Sequence, residues 1–136
     1  MMFTRIYIFC FLLICIATSS HAALSPLSEA ELDRHANVIV QAKVLATKKL
    51  STVQLNSCTR RTEFVSTLQL LKRIKGPVGE SKVNVHYFHY ILARGCVGPQ
   101  GIYVARGERG KFYLRCNVTL SSCSIIQPNG FLRNGS

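Results

Sequence analysis

The chain has 136 residues and six cysteines, and its 17 lysines and arginines outnumber six acids to give a formal charge of +11. So few carboxylates argue against a hydrolase built on paired acids, and the length leaves room for one domain but not two. The cationic excess suits a negatively charged partner, although a solvated basic surface accounts for it as well.

Residues 1–22 read as a secretory signal. Arg5 supplies a small positive start, Ile6 to Ala17 form an apolar stretch too short to span a bilayer, and Ser20 and Ala22 set small residues at cleavage positions. A membrane anchor is the competing reading, but the polar run Thr18 to His21 cuts the apolar stretch short. Cleavage after Ala22 would leave residues 23–136 as a single secreted, extracellular domain. Cys10 and Cys15 would depart with the signal, leaving Cys58, Cys96, Cys116 and Cys123. An even number in an exported chain predicts disulfides, with three connectivities open. Cys116 with Cys123, closing a hairpin, and Cys58 with Cys96, tying two long loops, is the preferred pairing. No C-x-x-C pair favours zinc, and no cofactor is expected.

Ser28 and Glu31 have capping-box spacing ahead of Leu32, which predicts a short helix to about His35. Asn37 to Lys48 then alternates Val38, Val40, Ala42, Val44 and Ala46 on one side, the pattern of a first strand. Lys49 to Arg61 is polar and reads as a loop or a frayed strand end. In Thr62 to Pro77, Phe64, Ser66, Leu68 and Leu70 share one side, with a slip in alternation at Leu70-Leu71. Helical spacing of Phe64, Leu68, Leu71 and Lys75 also fits, but Val65, Ser66 and Thr67 favour strand. After a turn at Val78 to Ser81, Lys82 to Tyr90 predicts a third strand. Its Val83, Val85, Tyr87 and His89 look like core, while His86, Phe88 and Tyr90 would stack on a ligand or cover a neighbouring loop. Ile91 to Arg109, punctuated by glycines, is a long connection. Lys111 to Cys116 and Cys123 to Gln127 are the fourth and fifth strands, the latter ended by Pro128-Asn129-Gly130. Asn117-Val118-Thr119 and Asn134-Gly135-Ser136 are glycosylation sequons, of which Asn117 is the better candidate.

The expected fold is mainly β, a five-stranded OB-like closed barrel with a short N-terminal helix. Three segments carry a family resemblance: Val40 to Val44, Leu71 to Gly76 and Gly110 to Leu114, set within ANVIVQAKV, EFVSTLQLLKRIKG and GKFYLRC. In this order they resemble the TIMP-like, netrin-type OB fold. SPLSEAELDRHANVIVQAKV, VGPQG, YLR and QPNGF resemble more closely a small exported group of unassigned function within that fold, known chiefly from bacteria. The resemblance spans nearly all of residues 23–136 and implies a binding module. Tissue inhibitors of metalloproteinases hold the protease zinc through an N-terminal cysteine freed by signal cleavage. This chain would begin Ala23-Leu24-Ser25, with no cysteine before Cys58, so that mode does not carry over.

No catalytic signature is present, and the chain is not expected to be an enzyme. His86 and His89, three apart, point to opposite sides of a strand, and only His35 could join either of them, from a helix far away along the chain. Two readings of different class remain. One is a module that docks on an extracellular protein, a protease among the candidates. The alternative is a binder of polyanions, sulfated glycan or nucleic acid. There Lys48, Lys49, Arg60, Arg61, Lys72, Arg73 and Lys75 would gather near one barrel end, and His86, Phe88 and Tyr90 would stack bases.

Overall fold

Ser28 starts the chain's one described helix, α1 (Glu29–His35), through a complete capping box. Its hydroxyl accepts from the Glu31 amide at 3.2 Å, and its own amide donates to Glu31 Oε2 at 2.7 Å. That amide also holds the Glu31 carboxyl below its usual pKa, because the hydrogen bond favours the ionised form. The computed structural model describes residues 25–77, 79–98 and 101–134. The expected signal at 1–22, Val78 of the expected turn, 99–100 of the long connection and the end of the second sequon lie outside them.

The remainder is mainly β, in a six-stranded sheet: β1 (Val38–Gln54), β2 (Thr59–Lys75), β3 (Lys82–Leu92), β4 (Arg109–Cys116), β5 (Cys123–Ile125) and β6 (Phe131–Arg133). Hydrogen bonding runs β1–β2–β3–β5–β4, and β4 pairs again with β1, so five strands make a ring with β6 added on β4. All pairings are antiparallel except β3–β5. Residues 64–75 are strand, so the helical alternative for that stretch falls away.

β1 and β2, at 17 residues each, far exceed the usual five or six, and they stay paired by slipping. Gln41 faces Lys72 and Ala42 faces Leu70, so Leu71 is the extra residue, at the slip expected from the sequence. Ile74, Leu45 and Leu50 are passed over in the same way. An unpaired extra residue bends its strand and sharpens the twist, which lets a long hairpin curl into a ring.

Two results beyond the sequence reading concern length. Of the two readings of Lys49 to Arg61, strand end holds and loop does not: β1 continues to Gln54, β2 resumes at Thr59, and Asn56 Oδ1 accepts from the amides of Cys58 and Thr59 at 2.8 and 2.9 Å to hold the turn. This outer part of β1 has solvent on both faces, so no alternation of polarity marks it. The sixth strand was not expected, because three residues carry no period. Gly110 makes room for it, since a Cβ there would lie 2.2 Å from the Leu132 carbonyl oxygen.

Inside the ring, Val40, Val44, Leu68, Val85, Phe112 and Leu114 are fully buried. A smaller cluster of Leu32, Ala36, Ile39 and Tyr113 seats α1 outside it. Reciprocal bonds between Asn129 and Leu27, at 2.9 and 2.8 Å, tie down the segment before the helix.

The core also holds a polar knot. Ser66 Oγ meets Thr47 Oγ1 at 2.8 Å and the Tyr87 hydroxyl at 3.0 Å, and Thr47 Oγ1 donates to the Val104 carbonyl at 3.0 Å. Burial pushes the Tyr87 pKa above its ordinary value of 10.0. The folded state therefore keeps the phenol's proton after the unfolded chain has begun to lose it. Stability contributed by the neutral phenol is present below about pH 10 and declines above it. Urea midpoints should fall between about pH 9 and pH 11, and less steeply in Tyr87→Phe. Burial raises Tyr113 as well, so some slope should remain in that variant. An identical slope would mean that Tyr87 ionises alike in both states.

Candidate functional site

Past Lys48, the β1–β2 hairpin leaves the core. Leu50, Val53 and Leu55 are 44%, 47% and 46% exposed, and Lys48, Lys49 and Arg60 are exposed among them. Residues 48–61 contain four cations and no acid. The turn is stapled by the Cys58–Cys96 disulfide. Beside the staple, the Ala93 amide donates to the Cys58 carbonyl at 2.7 Å and the Cys96 amide to the Ala93 carbonyl at 3.0 Å. Val97, next to the bridge, is 86% exposed. One end of the molecule thus presents apolar side chains and cations together on a braced hairpin.

The seven basic residues do not gather at one end. Arg60 and Arg61 pair with Gln54 and Val53 near the hairpin turn, whereas Lys72, Arg73 and Lys75 pair with Gln41, Val40 and Ile39 at the start of β1. Strand rise puts about 35 Å of chain between Arg61 and Lys72. Lys75 is also engaged, its ammonium donating to the Asp33 carbonyl at 2.6 Å. Sequence proximity misled here because antiparallel pairing sends the two ends of each strand to opposite ends of the sheet.

On β3, Val85 and Tyr87 are buried as core, and His86, Phe88 and Tyr90 alternate with them on the outer side. Each has an occupant already. The Arg61 guanidinium lies 4.5 Å over the Phe88 ring, and His86 Nδ1 is 3.3 Å from Glu63 Oε1. A Cβ on Gly101 would lie 2.9 Å from Tyr90 Cδ2, so the β3–β4 connection passes against that ring. Covering a loop describes Tyr90, and a row of stacking platforms does not describe this face.

Comparison with protein-family models, curated proteins and solved structures finds no match. The reading of this chain therefore rests on its own geometry.

The second disulfide joins Cys116 to Cys123, which face each other across β4 and β5. Two bridges suit an oxidising compartment. Asn117 starts the turn between these cysteines. It is exposed, with Nδ2 3.0 Å from Ser121 Oγ and Oδ1 accepting from the Ser122 amide at 3.2 Å. Among the described residues, no cluster of three histidines, cysteines or acids could hold a metal ion, and no helix is long and apolar enough to cross a membrane.

The sequence leaves His35 as the one histidine able to join His86, from a helix distant along the chain, and the fold brings the two together. His35, at the end of α1, and His86, on β3, line the same cleft of about 430 Å³. The only local sign was that His35 ends a capped helix. Where that helix packs is decided by Leu32 and Tyr113, which are distant in sequence.

Proposed function

We propose that the protein is a secreted, disulfide-stabilised binding module with an OB-like barrel of the TIMP-like, netrin-type kind. It docks on an extracellular protein through the stapled end of the β1–β2 hairpin. The ring order β1–β2–β3–β5–β4, with one parallel contact, supports the OB-like reading. The observation that carries the docking reading is the interleaving of exposed Leu50, Val53, Leu55 and Val97 with Lys48, Lys49 and Arg60, without an acid in residues 48–61. Apolar centres with charged rims are what protein interfaces use. The partner's complementary surface is apolar with an acidic border, and a protease with such a border is within this class. A polymer of phosphates or sulfates would instead draw on a continuous run of cations, and here the cations fall into two separated groups. Asn117, near the opposite end, can carry a glycan without covering the hairpin.

The test is capture from extracellular fluid by the oxidised protein, compared with two variants. Val53→Asp/Leu55→Asp should retain the fold and lose at least about tenfold in affinity for the captured protein. Lys72→Ala/Arg73→Ala should bind as the parent does. Loss in the second variant alone, with heparin retention that collapses on adding salt, would replace docking by polyanion binding.

A further inference from the structure

The outer face of β3, β5 and β4 carries a second group of polar side chains, away from the hairpin turn. Parallel pairing sets Ser124 beside His86, and antiparallel pairing sets Arg115 on the other side of Ser124. Their neighbours along each strand are buried: Tyr87 on β3, Cys123 and Ile125 on β5, Leu114 and Cys116 on β4. Alternation therefore puts His86, Ser124 and Arg115 outward in one row, about 10 Å from end to end at the spacing of adjacent strands. His35 overhangs the row from α1, and its carbonyl accepts from Arg115 Nη2 at 3.2 Å. That bond uses one corner of a guanidinium with five donors.

The cleft so formed measures about 430 Å³, within the range of small-molecule sites. It is lined by two histidines and an arginine and, among the described residues, by no acid. Glu63, on β2, faces His86 from outside the lining and engages Nδ1. His86 Nε2 has no partner among the described residues. Leu27, Phe88 and Ile126 supply apolar wall. Gln127 lines the cleft too. Its Nε2 donates to the Phe88 carbonyl at 3.3 Å, while its buried Oε1 accepts from nothing among the described residues. A buried acceptor beside a cleft can take a donor from a bound ligand.

We propose that this cleft binds a small aromatic phosphate or sulfate ester. Arg115 holds the anionic group, joined by the Ser124 hydroxyl when it turns from the Arg115 carbonyl, 3.4 Å away, and by Nε2 of His86 in its protonated form, while the ring lies against Leu27 and Ile126. Arginine suits such an anion because its fork of donors matches two oxygens at once. A hydroxyl or amine on the aromatic body would satisfy Gln127.

Isothermal titration of the oxidised protein with 1-naphthyl phosphate, 1-naphthyl sulfate and inorganic phosphate tests this. Both naphthyl esters should bind at least about tenfold more tightly than inorganic phosphate, because only they fill the apolar wall. The stronger naphthyl ester names the source, phosphorylated or sulfated. Arg115→Gln should weaken binding by about tenfold or more, and so should Ser124→Glu. Ser124→Glu sets a like charge in the row and leaves the Arg115–His35 bond in place, so it reports on binding if Arg115→Gln fails to fold. Arg106→Ala removes an exposed cation elsewhere and should leave affinity unchanged. Equal binding of inorganic phosphate, equal loss in Arg106→Ala, or no heat with any of the three would overturn the assignment.

Discussion

Phe112→Ala is expected to lower the unfolding free energy by about 3–5 kcal/mol, the range for removing a large buried aromatic. Phe112 is fully buried on β4, opposite Val40 of β1 at the seam where the ring closes. Its ring stacks on Phe131 with centroids 4.4 Å apart and planes at 22°. Truncation would leave a cavity that neither β1 nor β4 can fill, since both are held in the ring. It would also take from β6, three residues long, the contact that seats it. Domains of this size have about 5–15 kcal/mol in all, so the variant should be marginal. Urea or guanidinium titration measures the loss. A drop below about 1 kcal/mol would mean that the seam can repack without the ring.

Cys58→Ser/Cys96→Ser should cost about 4 kcal/mol, against about 2 kcal/mol for Cys116→Ser/Cys123→Ser. These values follow from the chain-entropy relation at sequence separations of 38 and 7. The larger loss should also be the more local one. The hairpin beyond Lys48 has little core beneath it, and the bridge to Cys96 is its one covalent tie to the β3–β4 connection. Amide exchange in residues 50–61 should therefore accelerate more than exchange in β4. The same variant should lose affinity for the captured protein, because a loosened hairpin must be ordered again on binding. Comparing the denaturation midpoints of the two serine pairs decides the point. Equal or reversed losses would show that strand pairing alone holds the hairpin end.

Different kinds of information were legible in different parts of the chain. The capping box at Ser28 and Glu31, the alternation in β1 to β3 and the slip at Leu71 are short-range patterns. Each is set by neighbouring residues and the geometry of a single element. The outer hairpin reads equally as loop or strand end because its exposed faces remove the polarity period. β6 was missed because its reason for pairing, Phe131 on Phe112, lies across a gap in sequence.

By itself the sequence determined the elements: a capped helix, strands bent at marked positions, four cysteines past residue 22, and a strong positive charge. Tertiary structure alone decided what those elements bring together. It closed β4 onto β1, spread seven expected cations along the length of one hairpin, and set His35, His86, Ser124 and Arg115 around one cleft. The reason is that alternation says which face a side chain takes, whereas its neighbours across strands depend on register. Register is fixed by packing between segments dozens of residues apart, which no local pattern records.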